Sequence, residues 1–399
     1  VIASFKRRLD VGQAPAYMLE PVAKMSAPSK LTLVLKLKHR VDPFLAYMAS
    51  SWGPKIIGPA AIKTNAGKDF GQTWMRTHDD GTGPYRLTGF DRGRQYTLTR
   101  FDGYWGAKAG FRQIFFKITP NIGTQRLELE HGDLDAVMHS FPASELSALP
   151  SSVRVIEQNS FLQLLLYVNA NKPPFNDPQV RAGLRSALNV DQLVKSAYSG
   201  TATKATGPYP PGILPSQPAL PYSPDSAAAS AAVAKAKTKN VVLAYTSDES
   251  GVQRRASELL QAQLRSAGLN VTLKEVTNPQ VYDYVKDLGK APDLLLMTNT
   301  PDAAHPDTWA RILFYSSGGL NFLGYKDKAV DRALDQAVSA PTSAANKLYA
   351  NVGQRMIDSN SMFFLGNVKN VFVVNKGLSN VTSVPAYPWT LDLAALKRN

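Results

Sequence analysis

Residues 241–297 carry the pattern that most constrains how this chain folds. Strand and helix patterns alternate there without a break, in the order strand 241–245, helix 252–264, strand 271–273, helix 279–288 and strand 294–297. The first and last strand segments are short apolar runs, which are typical of strands buried on both faces of a parallel sheet, and Val271 and Leu273 mark the middle strand. Strands that alternate with helices in this way predict a right-handed parallel α/β unit.

The first two-fifths of the chain follow a different pattern. Residues 31–37 place leucine at every second position, which predicts a half-buried antiparallel strand. Asp42 followed by Pro43 predicts the N-cap and first turn of a helix. Further short strands are expected at 96–100 and 113–118, with turns between them. This part of the chain is therefore predicted to be mixed α+β.

The remaining segments follow from apolar runs and helix-start residues. They are a strand at 161–169, a helix from Asp177, a proline-rich surface loop at 208–221, an alanine-rich helix at 226–237, helices at 327–339 and 342–358, and strands at 362–365 and 371–374. No apolar run reaches about 18 residues, so the sequence predicts no membrane-spanning helix.

Composition and motif spacing disfavour several classes of function. The net charge is +14, but the basic residues are scattered, so a solvated basic surface is favoured over nucleic-acid binding. The absence of cysteine excludes disulfides, thiolate metal sites and cysteine nucleophiles. The five histidines have no metal-binding spacing, and neither a G-x-S-x-G elbow nor a Walker glycine loop occurs. We therefore predict no catalytic residue, no metal and no cofactor.

Two loops at strand ends carry the candidate binding residues. Ligands of open parallel sheets bind beyond the carboxyl ends of the strands, and here those loops are Thr246–Ser250 and Thr298–Asp307. The second loop contains Asp302, which we expect to form a charge-assisted bond with a cationic ligand group in a partly dry cleft. The same spacing also fits an aspartate that only turns the chain before a helix.

The other candidate ligand contacts lie in or near these loops. They are Ser247, Asp248, His305, Trp309, Asn321 and Tyr325. The spacing is equally consistent with Trp309 lining a pocket and with Trp309 packing in the core. Asp307 precedes an apolar helical pattern, so we expect it to be the N-cap of the next helix.

Five blocks spread over the chain carry a family resemblance. They are Gly81–Leu87, Arg100–Gly106, Ile118–Pro120 with Arg126–Asp135, Val168–Asn169 with Lys172–Arg181, and Gly207–Pro208 with Pro210–Gly212. In this order they resemble the family 5 extracellular solute-binding proteins of ABC importers, which include oligopeptide-, dipeptide-, nickel- and some oligosaccharide-binding members. The resemblance covers essentially the whole chain.

The resemblance implies an α/β, two-lobed periplasmic-binding-protein-like fold of class II, the large three-subdomain type. It implies lobe I with its extra subdomain at 1–162, a parallel α/β lobe II at 163–367, and a C-terminal return to lobe I at 368–399. Hinge strands between the lobes are expected near residues 162–169 and 366–372. Part of lobe I that precedes Val1 in the family is expected to be missing from this chain.

The resemblance also implies roles for single residues. The peptide binders of the family hold the ligand amino terminus with an aspartate ahead of a P-x-x-aromatic segment, and Asp302, four residues before Pro306, matches that position. Where the dipeptide binder carries an arginine for the ligand carboxylate, this chain has Ser247 or Asp248. No residue is therefore assigned to the carboxylate.

The function implied is an extracytoplasmic solute-binding component of an ABC transporter, made as a precursor with a signal peptide and either free in the periplasm or anchored to the cell surface as a lipoprotein. It is expected to be a monomer that binds short peptides between its lobes and delivers them to the permease transmembrane subunits, without contact to nucleic acid. Two alternatives stay within the family: a nickel complex or haem held with help from His305, and an oligosaccharide stacked on Trp309. An enzyme is a distant third.

Overall fold

The computed structural model describes residues 1–138, 141–248 and 250–399. The strands are β1 Val22–Ser29, β2 Thr32–Leu37, β3 Tyr85–Asp91, β4 Gln95–Arg100, β5 Gln113–Lys117, β6 Ala136–Val137, β7 Val153–Val168, β8 Ala202–Lys204, β9 Asn240–Thr246, β10 Asn270–Val276, β11 Leu294–Asn299, β12 Met362–Asn375, β13 Leu378–Ser379 and β14 Lys397–Arg398.

The α-helices are α1 Ile2–Val11, α2 Phe44–Ala49, α3 Pro59–Asn65, α4 Ile122–His131, α5 Pro178–Ala187, α6 Val190–Tyr198, α7 Ser226–Ala234, α8 Val252–Ser266, α9 Asn278–Tyr284, α10 Pro306–Phe314, α11 Lys328–Ala337 and α12 Thr342–Ser359. Short 3₁₀ helices cover Ala14–Met18, Trp74–Arg76, Ala143–Ala148 and Leu288–Lys290. Among the described residues, no helix combines the length and apolarity needed to cross a bilayer.

One seven-stranded sheet organises the chain, in the order β10-β9-β11-β7-β12-β6, with β8 also paired to β12. Strands β9, β10 and β11 are mutually parallel, as the alternating pattern predicted. The sheet is covered on both faces: Leu164 and Leu166 of β7 pack in one apolar cluster, and Leu165 and Tyr167 pack in another. Burial on both faces explains why β9, β11 and the carboxyl half of β7 are nearly continuously apolar, whereas the edge strand β10 alternates.

Strands β7 and β12 run antiparallel through both halves of the molecule. The carboxyl half of β7 lies between β11 and β12, whereas its amino half pairs with the end of β12 that also carries β6. The pairing of β7 with β12 shifts register at two places, between Phe364 and Gly366 and between Val368 and Asn370. These irregularities lie where the two strands pass from one half to the other.

The part before β6 consists of small α+β units, as predicted. Strands β1 and β2 form a hairpin, and β3, β4 and β5 form a three-stranded antiparallel sheet. The prediction of a half-buried strand over 31–37 was only partly right. Leu35 and Leu37 pack on a small apolar cluster, but Leu31 and Leu33 are exposed because the hairpin extends beyond that cluster.

The helix starts were predicted with mixed success. Asp177 caps α5 by accepting a hydrogen bond from the Gln179 amide, with a proline at the first helical position as expected. By contrast, Asp42 does not cap α2, whose N-cap is Pro43. The Asp42 carboxylate instead accepts a hydrogen bond of 2.9 Å from Thr342 Oγ1, which ties the N-terminal part to α12.

Candidate functional site

A cleft of about 1060 Å³ opens beyond the carboxyl end of β11. One wall comes from the N-terminal α+β part, mainly residues 15–21 and 38–41, and the other from the end of β11 and from α10. The parallel-sheet half and the α+β half thus face each other across a gap. This is the edge of a parallel sheet at which ligands bind in open α/β folds.

Asp302 lies in this cleft, half-buried, in the loop after β11. Tyr17 Oη donates a 2.9 Å hydrogen bond to Asp302 Oδ2, and Ser50 Oγ donates to the Asp302 carbonyl oxygen. Burial raises the pKa of Asp302, and the hydrogen bond from Tyr17 opposes that rise. Within the described residues, Asp302 Oδ1 has no hydrogen-bond partner, so one carboxylate oxygen remains available to a ligand.

Asp307 lies deeper and is fully satisfied. Its carboxylate is 0% exposed and accepts hydrogen bonds from Arg311 Nε and Nη2 at 3.1 and 3.0 Å. Tyr47 Oη and Tyr349 Oη each donate to it at 3.3 Å. A buried carboxylate needs this many donors to offset its lost hydration. Although burial opposes the charge on Arg311, Asp307 raises the pKa of that guanidinium.

The prediction that Asp307 caps α10 was wrong. The N-cap is His305, whose Nδ1 accepts a 3.1 Å hydrogen bond from the Asp307 amide, and Asp307 lies inside the first turn. His305 Nε2 is 3.3 Å from Asp42 Oδ2, so both ring nitrogens are engaged within the protein. Burial lowers the pKa of His305, while the two nearby carboxylates oppose that shift. His305 does not line the cleft.

Three other predicted contacts lie away from the cleft wall. Trp309 is 0% exposed and its Nε1 donates a 2.8 Å hydrogen bond to the Pro208 carbonyl oxygen, so it packs in the core. Asn321 Nδ2 donates to the carbonyl oxygens of Tyr315 and Tyr325, which fixes the loop after α10. Tyr325 Oη donates to an aspartate, and burial raises the pKa of Tyr325 to about 12. The structure brings none of the three to the cleft surface.

Ser247 and Asp248 lie after β9 and do not line this cleft. The Ser247 amide donates to the Val276 carbonyl oxygen at 3.1 Å, and Asp248 Oδ2 accepts from the Gln253 amide at the start of α8. Of the seven residues predicted as ligand contacts, the structure therefore places Asp302 alone on the cleft wall.

The sequence analysis did not predict most of the residues that line the cleft. Tyr17, Trp52 and Trp389 line the cleft, but they come from segments far from Asp302 in the chain. The hydrogen bond from Tyr17 to Asp302 joins residues 285 positions apart, and no local pattern signals such a pairing. Only Arg311 carried a local signal, because a basic residue four positions after an aspartate on a helix forms an ion pair.

Comparison with known proteins places the chain in a family. Residues 1–321 match the bacterial extracellular solute-binding proteins, family 5 Middle. The chain belongs to this family. The resemblance inferred from the five sequence blocks is therefore confirmed, as are the extracytoplasmic location and the role as the solute-binding component of an ABC importer.

Three similar proteins illustrate the relationship. The probable D,D-dipeptide-binding periplasmic protein DdpA of Escherichia coli (strain K12) is 28% identical over 99% of this chain and 77% of its own length. The crystal structure of a dipeptide binding protein from Pseudoalteromonas sp. SM9913 in complex with Met-Leu superposes with a TM-score of 0.84 at 19% identity, over 100% of this chain and 82% of that one.

A nickel binder shares the same fold. NikZ from Campylobacter jejuni, in complex with Ni(L-His), superposes with a TM-score of 0.84 at 17% identity, over 99% of this chain and 83% of that chain. Together these structures confirm the two-lobed α/β fold of class II. Because both dipeptide and nickel binders adopt it, the fold alone does not select the ligand.

Proposed function

We propose that the cleft binds short peptides, with Asp302 holding the peptide α-ammonium group. The observation that carries this proposal is a half-buried carboxylate on the cleft wall with one oxygen available. Tyr17 holds the other oxygen, which fixes the direction of the carboxylate before a ligand arrives. A charge-assisted bond in such a partly dry site is stronger than the same bond in water.

The rest of the cleft suits a peptide backbone with apolar side chains. Aromatic rings of Trp52, Tyr282 and Trp389 line it and offer apolar area for ligand side chains. Thr298 and Thr300 at the end of β11 add polar residues to this wall. Cleft sites usually combine apolar walls with a few such polar groups.

The names of similar proteins support a ligand of dipeptide size. DdpA is named for D,D-dipeptides, and the Pseudoalteromonas protein was crystallised with Met-Leu. The volume of the cleft, about 1060 Å³, is slightly above the range of about 300–1,000 Å³ for small-ligand sites. A dipeptide with two side chains fits within it.

We further propose that binding closes the lobes. In this scheme residues 1–162 and 368–399 form lobe I, residues 163–367 form lobe II, and β7 and β12 act as the hinge between them. A ligand that contacts both walls binds the closed form better and so shifts the population toward it. The closed monomer then docks on the permease, without an enzymatic step, a cofactor or nucleic acid.

A nickel chelate is the second candidate, because one histidine does face the cleft. That residue is His39, not His305, whose ring is occupied within the protein. A chelate brings its own ligands, so a single protein imidazole is enough to complete its coordination. No group of three or more metal-ligating side chains occurs in the described part of the chain, which favours the peptide over a free metal ion.

Calorimetric titration of the protein with dipeptides and with nickel–histidine tests the proposal. We expect dipeptide binding that falls about 10- to 100-fold in Asp302→Asn, the loss typical of a hydrogen bond between charged groups. Glu20→Gln is the matched control, since Glu20 also lines the cleft but is exposed, and it should change the affinity little. Unchanged dipeptide affinity in Asp302→Asn, or binding of nickel–histidine alone, would contradict the proposal.

A further inference from the structure

The β1–β2 hairpin has an unusual charge pattern for its size. We define the basic hairpin as residues 22–38, which contain Lys24, Lys30, Lys36 and Lys38 and no aspartate or glutamate. All four lysines are exposed. In the described part of the chain none of them makes an ion pair, so the hairpin exposes four positive charges to solvent.

Two of these lysines face each other across the strands. Lys24 of β1 is the register partner of Lys36 of β2, so their side chains leave the same face of the hairpin. Like charges directly opposite each other destabilise a strand pair. An external anionic surface would relieve this repulsion.

The tip of the basic hairpin combines aliphatic side chains with Lys30. Residues 27–34 are all exposed, and among them Leu31 is 96% exposed, Val34 44% and Leu33 36%. The base of the hairpin packs on the protein through Val22, Met25, Leu35 and Leu37. The hairpin is thus a projecting finger with aliphatic side chains and one lysine at its end, and with the facing lysine pair nearer its base.

We propose that the basic hairpin docks on an anionic lipid bilayer, with Leu31 inserted among the headgroups. Aliphatic groups next to lysines fit an interfacial layer, because lysine stems lie along the apolar boundary while their ammonium groups reach the phosphates. A specific protein–protein interface typically buries about 800 Å² on each partner, and the narrow tip of the hairpin offers less surface than that. Lys38 and His39 at the hairpin base line the cleft, so docking holds the cleft beside the membrane.

Sedimentation with vesicles tests the charge requirement. We expect binding to vesicles of phosphatidylcholine with about one third phosphatidylglycerol and not to phosphatidylcholine alone, because a lysine near an anionic surface strengthens binding about fivefold. Lys24→Gln/Lys36→Gln should weaken the partitioning by about 25-fold. The matched control is Lys237→Gln/Lys239→Gln, an equal loss of charge on exposed lysines elsewhere, and should stay near the wild type.

A single cysteine tests insertion, because the chain has none of its own. Leu31→Cys labelled with a polarity-sensitive dye should shift its emission to the blue with anionic vesicles, and the same dye at Ser230→Cys on α7 should not. If the two double lysine variants weaken vesicle binding equally, binding depends only on the net charge of the protein, and the proposal is overturned. No vesicle binding, an unshifted dye at position 31, or hairpin-dependent binding to an acidic protein instead of vesicles would each overturn it as well.

Discussion

The ion pair between buried Asp307 and half-buried Arg311 should be costly to break. Arg311→Met leaves the Asp307 carboxylate, 0% exposed, with two tyrosine donors and no cation. Removing one partner of a buried pair typically costs about 3–5 kcal/mol, because the remaining charge is uncompensated. We expect a loss of this size in the free energy of unfolding.

The expected change in melting temperature follows from the chain length. An unfolding entropy of about 2.1 cal/mol/K per residue, over 399 residues, gives about 0.8 kcal/mol/K. Arg311→Met should therefore lower Tm by about 4–6 °C in differential scanning calorimetry. Arg355→Met is the matched control, because Arg355 forms an exposed ion pair with Asp327, and should lower Tm by at most about 1 °C.

A double variant separates the ion pair from the packing of the side chains. Arg311→Met/Asp307→Asn removes both charges and should recover part of the lost stability, since replacing both partners of a buried pair costs far less than removing one. Equal Tm losses in Arg311→Met and Arg355→Met, or a double variant less stable than Arg311→Met, would refute this reasoning.

Three further predictions concern the cleft. Burial raises the pKa of Asp302, so dipeptide affinity should fall as the pH drops through this raised pKa. Because the hydrogen bond from Tyr17 opposes the rise, Tyr17→Phe should move the fall in affinity to higher pH. A midpoint that does not move when affinity is measured against pH would count against the contact. Trp309→Phe should lower Tm but leave dipeptide affinity unchanged, because Trp309 is buried in the core. Trp389→Ala on the cleft wall should weaken dipeptide binding. If calorimetry shows weaker dipeptide binding in Trp309→Phe and unchanged binding in Trp389→Ala, Trp309 reaches the ligand. His305→Asn should leave the affinities for dipeptide and for nickel–histidine unchanged, because asparagine can replace histidine as the N-cap of α10. Loss of nickel–histidine binding alone would show that His305 contacts that ligand.

The parallel half of the fold was predictable because its signals are local. Strands β9 and β11 are short apolar runs, β10 is marked by Val271 and Leu273, and α8 shows its apolar stripe directly in the sequence. The basic hairpin was misjudged because alternation reports a potential apolar face and not whether a partner covers it. Leu31 has the same pattern as Leu35, yet only Leu35 reaches the small core beneath the hairpin.

The site was predictable where the end of a parallel strand and the family resemblance pointed to the same position. Asp302 was found because it follows a predicted parallel strand and its spacing to Pro306 matches a family pattern, and the structure places it on the cleft wall. Tyr17 and Tyr47 reach the carboxylates from segments more than 250 positions away, and this pairing exists only after folding. Trp309 shows the opposite error: an aromatic residue beside a binding loop packs beneath the site when a backbone carbonyl accepts its indole N–H.

Titration calorimetry with one dipeptide and its N-acetyl derivative tests the central claim most directly. Acetylation removes the ammonium group and leaves the side chains and the carboxylate in place. The account predicts that the acetylated dipeptide binds at least about tenfold more weakly, since the charge-assisted bond to Asp302 is lost. Equal affinities for the two ligands would contradict it.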